Sequence, residues 1–123
     1  MSSEKPAASV STHVLDTATG RPAGGVAVEL SVRRADGAWH AAGAAVTDAD
    51  GRCGNLPALP AEVTHARLVF AVEPYLSRSQ SRERRTGAAF FPEVTVAFAV
   101  APGEHHHVPL LLSPFGYSVY RGS

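Results

Sequence analysis

Val26, Val28, Leu30 and Val32 are separated by Ala27, Glu29 and Ser31. A repeat of two puts the aliphatic side chains on one side of an extended segment, the pattern of a strand with one face buried. Val94, Val96, Phe98 and Val100 repeat it around Thr95, Ala97 and Ala99. Residues 9–15 are rich in β-branched side chains and stop at Asp16. Residues 39–47, 105–112 and 117–121 are further expected strands. Residues 68–72 are apolar throughout, as in a strand covered on both faces. Turn chemistry lies between these segments: Thr19-Gly20-Arg21-Pro22, Gly24-Gly25, Asp50-Gly51, Pro102-Gly103 and Pro114. Asp36-Gly37 is the dipeptide of a two-residue hairpin. One helix is expected over residues 75–84, entered through Glu73-Pro74, short and exposed because it is rich in Ser and Arg. Seven or eight short strands at this spacing predict an all-β two-sheet sandwich. Residues 9–123 read as one domain and residues 1–8 as a flexible N-terminal tail.

Composition narrows the function classes. The 123 residues are 45% hydrophobic and 18% charged, enough for a core without staples and too apolar for disorder. Eleven basic and eleven acidic residues cancel, so a general electrostatic grip on nucleic acid or an anionic membrane is not expected. A single cysteine excludes an intrachain disulfide and suits a reducing compartment. No apolar run has the length of a membrane span. Residues 1–9 are polar and lack the apolar core of a secretory signal. The expected location is the cytoplasm.

Parity along two strands selects the candidate chemistry. Val10, Thr12 and Val14 share one face of the first segment, and Ser11, His13 and Leu15 share the other. In the run from residue 105, His106 aligns with Val108, Leu110 and Leu112. His105 and His107 align with Pro109 and Leu111. Three bulky aliphatics mark the core side, so His105, His107 and His13 are expected to point outward. Pro109 lacks an N–H and fits only where its side of the ladder is free or bulged. Taken alone, these histidines read as surface or hydrogen-bonded residues. His13, His105 and His107 also match a three-histidine zinc site in ligand type, although any alternating pair satisfies the spacing. Asp48-Ala49-Asp50-Gly51 resembles the start of a calcium loop. Its glycine comes two positions early and Leu59 stands where the bidentate Glu belongs, which excludes calcium. A turn that presents Arg52 as an anion and carbonyl clamp is the simpler reading. Arg78, Arg82, Arg84 and Arg85 read as a solvated helix face, and Cys53 as a small packing residue. No phosphate loop or nucleophile elbow occurs.

These pieces, in this order, resemble the 5-hydroxyisourate hydrolases of the transthyretin-like family. The resemblance rests on Ser11-Thr12-His13-Val14-Leu15-Asp16 with Gly20 and Pro22-Ala23, and on Thr47-Asp48-Ala49-Asp50-Gly51-Arg52. It continues through Phe90-Phe91-Pro92-Glu93-Val94 and His107-Val108-Pro109-Leu110-Leu111-Leu112-Ser113-Pro114 to Tyr120-Arg121-Gly122-Ser123. The last four residues are the most specific, because the hormone-carrying transthyretins lack them together with the histidine set. The family usually reads His-Tyr-His where this chain has His105-His106-His107.

The resemblance implies an eight-strand sandwich with one short helix, assembled as a homotetramer (a dimer of dimers) with sites between subunits. It implies neither metal nor cofactor. The implied reaction, in urate degradation, is hydrolysis of 5-hydroxyisourate to 2-oxo-4-hydroxy-4-carboxy-5-ureidoimidazoline by water addition to a ring amide carbonyl. His13, Arg52, His107 and Ser123 are the implied catalytic residues. Tyr120 and Arg121 join His13, Arg52 and His107 in binding substrate. Two rival readings are a transthyretin-type carrier of small ligands and a zinc-dependent hydrolase built on the histidine cluster.

Overall fold

The structure, a computed structural model, describes residues 7–79 and 89–123. Among the described residues the order is β1 (Ser9–Asp16), β2 (Arg21–Pro22), β3 (Ala27–Arg33), β4 (Trp39–Val46), β5 (Arg52–Cys53), β6 (His65–Ala71), α1 (Glu73–Ser79), β7 (Glu93–Ala99), β8 (His105–Ser113) and β9 (Gly116–Val119). One sheet runs β4-β3-β6-β7, antiparallel throughout. The other runs β2-β1-β8-β9, with β5 pairing β1. β1 and β8 are parallel, and they form the centre of this sheet.

The alternation in the sequence is the reason for the two layers. Val10, Val14, Leu110 and Leu112 of one sheet and Val28, Leu30, Leu68, Phe70 and Val94 of the other belong to a single buried cluster. Burying each such side chain contributes about 1.5–3 kcal/mol. The alternate positions of β1, namely Ser9, Ser11, His13 and Leu15, are only partly covered.

Differences from the expectation are local. β2 and β5 add two strands of two residues each along β1, which makes nine strands among the described residues. The strand expected over residues 68–72 begins at His65 and is covered on one face. Ala66, Leu68 and Phe70 are buried, Val69 is half-buried and Ala71 is exposed. The turn at Asp36-Gly37 spans five residues between Arg33 and Trp39, with Gly37 N–H donating to Arg34 O at 3.0 Å. A bulge leaves Ala42 unpaired, since Leu30 faces Gly43 and Ser31 faces Ala41.

The helix starts two residues before the expected Tyr75. Residues 80–84 of the expected helix, and with them Arg82 and Arg84, lie outside the described residues, as does Arg85. Leu76 is buried, and Tyr75 donates to the buried Asp16 carboxylate at 2.6 Å. Burial and that hydrogen bond push the Tyr75 hydroxyl up to about 12. Burial also pushes the Cys53 thiol up, with the Asp48 charge adding to it, which suits a packing residue. Of the expected tail, residues 1–6 lie outside the described residues; Ala8 is buried and its carbonyl accepts Leu59 N–H at 2.9 Å.

Candidate active site

β1 is flanked by β8 on one side and β5 on the other, and this brings three distant segments onto one face. His13 is the cross-strand partner of Arg52 in the antiparallel β1–β5 pair. It is also the neighbour of Pro109 in the parallel β1–β8 pair, two residues from His107. Cross-strand partners have Cβ atoms roughly 4.5–5.5 Å apart and share a face, so His13, Arg52 and His107 present their side chains to the same side of the sheet, away from the core.

The turn before β5 fixes Arg52. Asp48 Oδ1 accepts Asp50 N–H at 2.9 Å and Arg52 N–H at 3.0 Å, while Asp48 N–H donates to Arg52 O at 3.0 Å. This aspartate closes the turn through backbone amides. Gly51 has φ +77° and donates its N–H to Asp48 O. A Cβ there would stand 2.4 Å from Val14 O, so only glycine lets the turn press against β1. His13 Nε2 lies 2.9 Å from Asp50 O. A carbonyl only accepts, so Nε2 carries a hydrogen and Nδ1 is the free nitrogen.

His107 sits beside Ser11, its register partner, with Ser11 Oγ 2.8 Å from His107 Nδ1. The same hydroxyl lies 2.7 Å from His105 Nε2, and Ser9 Oγ lies 2.6 Å from His105 Nδ1. Burial holds His107 below the ordinary histidine value; the cationic forms of His105 and His13 and the Arg52 guanidinium act in the same direction. A hydrogen bond with the Ser11 backbone opposes them.

The segment after β9 closes over His107. The β8–β9 ladder stops at Leu110↔Val119 and resumes as an isolated bridge, His107↔Gly122. The gap falls at Pro109. It has no N–H to give Tyr120, while its carbonyl still receives Tyr120 N–H at 3.4 Å. Gly122 N–H donates to His107 O at 2.8 Å. Tyr120 is 54% exposed and Ser123 is exposed. Arg121 is turned elsewhere: its Nη2 donates to Glu104 Oε1 at 3.3 Å. Arg121 borders a cleft of about 650 Å³ with Phe98, Val100, His106 and Val119, between the two sheets. His107 and Tyr120 also border that cleft, whereas His13 and Arg52 do not.

His106, placed by parity on the core side, is buried, and both its nitrogens are used. Nδ1 donates to Ser9 O and Nε2 accepts Ala101 N–H, each at 3.1 Å. The zinc alternative finds no such set, for among the described residues no three His, Cys, Asp or Glu side chains stand together as metal ligands. Parity puts Ser11 on the outward face but gives it no role; its place between two outward histidines needs the parallel register of β1 and β8.

A protein-family model described as the HIUase/Transthyretin family matches residues 10–122. A 5-hydroxyisourate hydrolase of Mesorhizobium japonicum is 44% identical over 116 residues, covering 93% of this chain and 91% of that protein. The structure of the Klebsiella pneumoniae 5-hydroxyisourate hydrolase superposes with a TM-score of 0.74 at 32% identity, covering 93% of this chain and 98% of that one. Transthyretin from Sparus aurata superposes with a TM-score of 0.77 at 31% identity, covering 92% and 95%. The all-β sandwich with its outward histidine face therefore defines a transthyretin-like protein. The chain belongs to the HIUase/Transthyretin family.

Proposed function

We propose that this protein is an enzyme of urate degradation that hydrolyses 5-hydroxyisourate. The fold is common to hydrolases and transthyretins, so the decision rests on side chains. The observation that carries the reading is that β1, β5 and β8 hold His13, Arg52 and His107 on one outward face. Two imidazoles and a guanidinium supply what amide hydrolysis requires and a carrier of small ligands does not: a base for water, a cation for the developing oxyanion and a proton for the leaving nitrogen. The Mesorhizobium japonicum relative bears the name of this activity at 44% identity.

In this reading His107, kept neutral by burial and its cationic neighbours, takes a proton from water as the oxygen adds to a ring amide carbonyl. Arg52 meets the negative charge that develops on the carbonyl oxygen. His13 binds through Nδ1 and, as the imidazolium, protonates the leaving nitrogen. Tyr120 and Ser123 contribute hydroxyls to the pocket. Arg121 anchors the segment through Glu104 and reaches substrate only with a shift of that pair. No metal or cofactor enters the scheme.

The histidine face of one chain is open to water, and a hydrolytic site needs enclosure to strengthen its electrostatics. A homotetramer, a dimer of dimers with sites between subunits, supplies that enclosure. Phe90 and Phe115, 82% and 78% exposed, support association. Among the described residues no helix is long and apolar enough to cross a membrane, which accords with the cytoplasmic location proposed here. The deciding assay follows the loss of 5-hydroxyisourate absorbance with and without protein, in the presence and absence of chelator. Decay at the spontaneous rate overturns the reading; activity lost to chelator and restored by zinc turns it to the zinc-dependent hydrolase. Light scattering tests the tetramer, and an active species near 12.8 kDa overturns the shared site.

A further inference from the structure

Ser11 Oγ is shared by two imidazoles, 2.7 Å from His105 Nε2 and 2.8 Å from His107 Nδ1. A hydroxyl has one hydrogen to give. When both rings are neutral, Ser11 can donate to one of them while the other donates to it. Ser9 Oγ, 2.6 Å from His105 Nδ1, extends the chain by one group. Two proton orders run head to tail along the four groups Ser9, His105, Ser11 and His107. In one, His107 Nδ1–H donates to Ser11, Ser11 donates to His105 Nε2, His105 Nδ1–H donates to Ser9, and His107 Nε2 is bare. In the other every bond is reversed and His107 Nε2 carries the hydrogen.

The rings differ in exposure: His105 is exposed and His107 is half-buried. A positive charge is better solvated on His105. Besides each other, the charged groups facing His107 are His13 from β1 and Arg52 from β5. On the β9 side the approach is made by Gly122, with Arg121 paired to Glu104.

We propose that Ser11 is a proton-relay residue that hands the proton captured by His107 on to the exposed ring of His105. This inference rests on the hydrolase reading above. As water oxygen bonds to the carbonyl carbon, water gives a proton to His107 Nε2. His107 Nδ1 gives its proton to Ser11 Oγ, and Ser11 Oγ gives its own to His105 Nε2. One proton has then left water and one positive charge stands on His105, while His107 stays neutral. After product leaves, the chain runs back and His107 Nε2 returns its proton to solvent. His13 protonates the leaving nitrogen and is itself reprotonated from solvent, so the cycle closes.

The test compares Ser11→Ala, Ser11→Thr, His105→Phe and the Ser11→Ala/His105→Phe double variant, each checked for thermal midpoint and mass. Ser11→Ala and His105→Phe are each expected to lower kcat by about 10–100-fold with KM nearly unchanged, less than loss of a general base outright because His107 itself remains. Ser11→Thr keeps a hydroxyl and is expected to retain most activity. The double variant is expected to lose no more than either single one, because both cut the same chain. Losses that multiply in the double variant, or a Ser11→Ala enzyme with wild-type kcat, overturn the relay. A second readout needs no turnover: the ¹⁵N resonances of the His105 and His107 rings are expected to titrate together in the wild type and separately in Ser11→Ala. Independent titration in the wild type overturns the relay. A wild type with coupled rings and no hydrolysis leaves the relay standing and removes the substrate assignment.

Discussion

Gly122 lies against the ring of His107: a Cβ at residue 122 would stand 2.6 Å from His107 Cδ2 and 3.2 Å from Pro109 Cγ. The missing side chain makes room for the imidazole. Gly122→Ala is expected to push the ring out of place and lower kcat roughly 10–100-fold, in line with the sensitivity of catalysis to small displacements. The domain is expected to remain folded, since Gly122 is outside the core. Steady-state kinetics beside a urea melt check both halves, and unchanged kcat would show that the ring has space to move.

His107→Ala and His13→Ala are each expected to slow hydrolysis by about two to four orders of magnitude. Both side chains face away from the buried cluster, so unfolding midpoints are expected to change little. Wild-type turnover in either variant removes that histidine from the mechanism.

The pH profile carries the sign of the His107 shift. Its value lies below the ordinary 6.5, through burial first and neighbouring cations second. A base must be neutral, so the acid limb of kcat/KM is expected below pH 6.5. Replacing Arg52 with Met removes one of the depressing charges. The limb is expected to move toward higher pH even as the rate falls. For stability the sign follows from linkage: the contribution of a depressed histidine is present above its unfolded value and is lost as pH falls through the folded one. A limb at or above 6.5 in the wild type would exclude His107 as the base.

Gly51→Ala meets two obstacles at once, a positive φ and the Val14 carbonyl. The left-handed conformation alone costs about 1–2 kcal/mol for a residue with a Cβ. Urea unfolding is expected to show at least that loss. Activity is expected to fall further than stability accounts for, because the turn aims Arg52.

Much of this was legible in the chain because one face of each long strand is apolar. Val10, Thr12 and Val14 against Ser11, His13 and Leu15 predicted the correct sides, as did His106 with Val108, Leu110 and Leu112. His65-Ala66-Arg67 escaped because Ala66 is too small to register as a core position, although it is fully buried. β2 and β5 escaped because two residues carry no period. Their pairing with β1 is a tertiary fact, and so is the opposition of His13 to Arg52. The hydroxyl of Ser11 had no sequence signal for the same reason: its partners lie 94 and 96 residues away. The Arg121–Glu104 pair had no sequence signal either, because Glu104 carries no motif of its own and lies 17 residues away.

The parallel pairing of β1 with β8 has a consequence for synthesis. β1 leaves the ribosome before β8, the strand that completes its central ladder and ends at Ser113. Until then one edge of β1 has no partner, and His13 has no second imidazole beside it. Contacts so distant in sequence close late and slowly. A nascent chain stalled before residue 105 is therefore expected to be chemically inert and to offer a bare strand edge, an invitation to chaperones or to other stalled copies. The second imidazole and the protection of that edge arrive together.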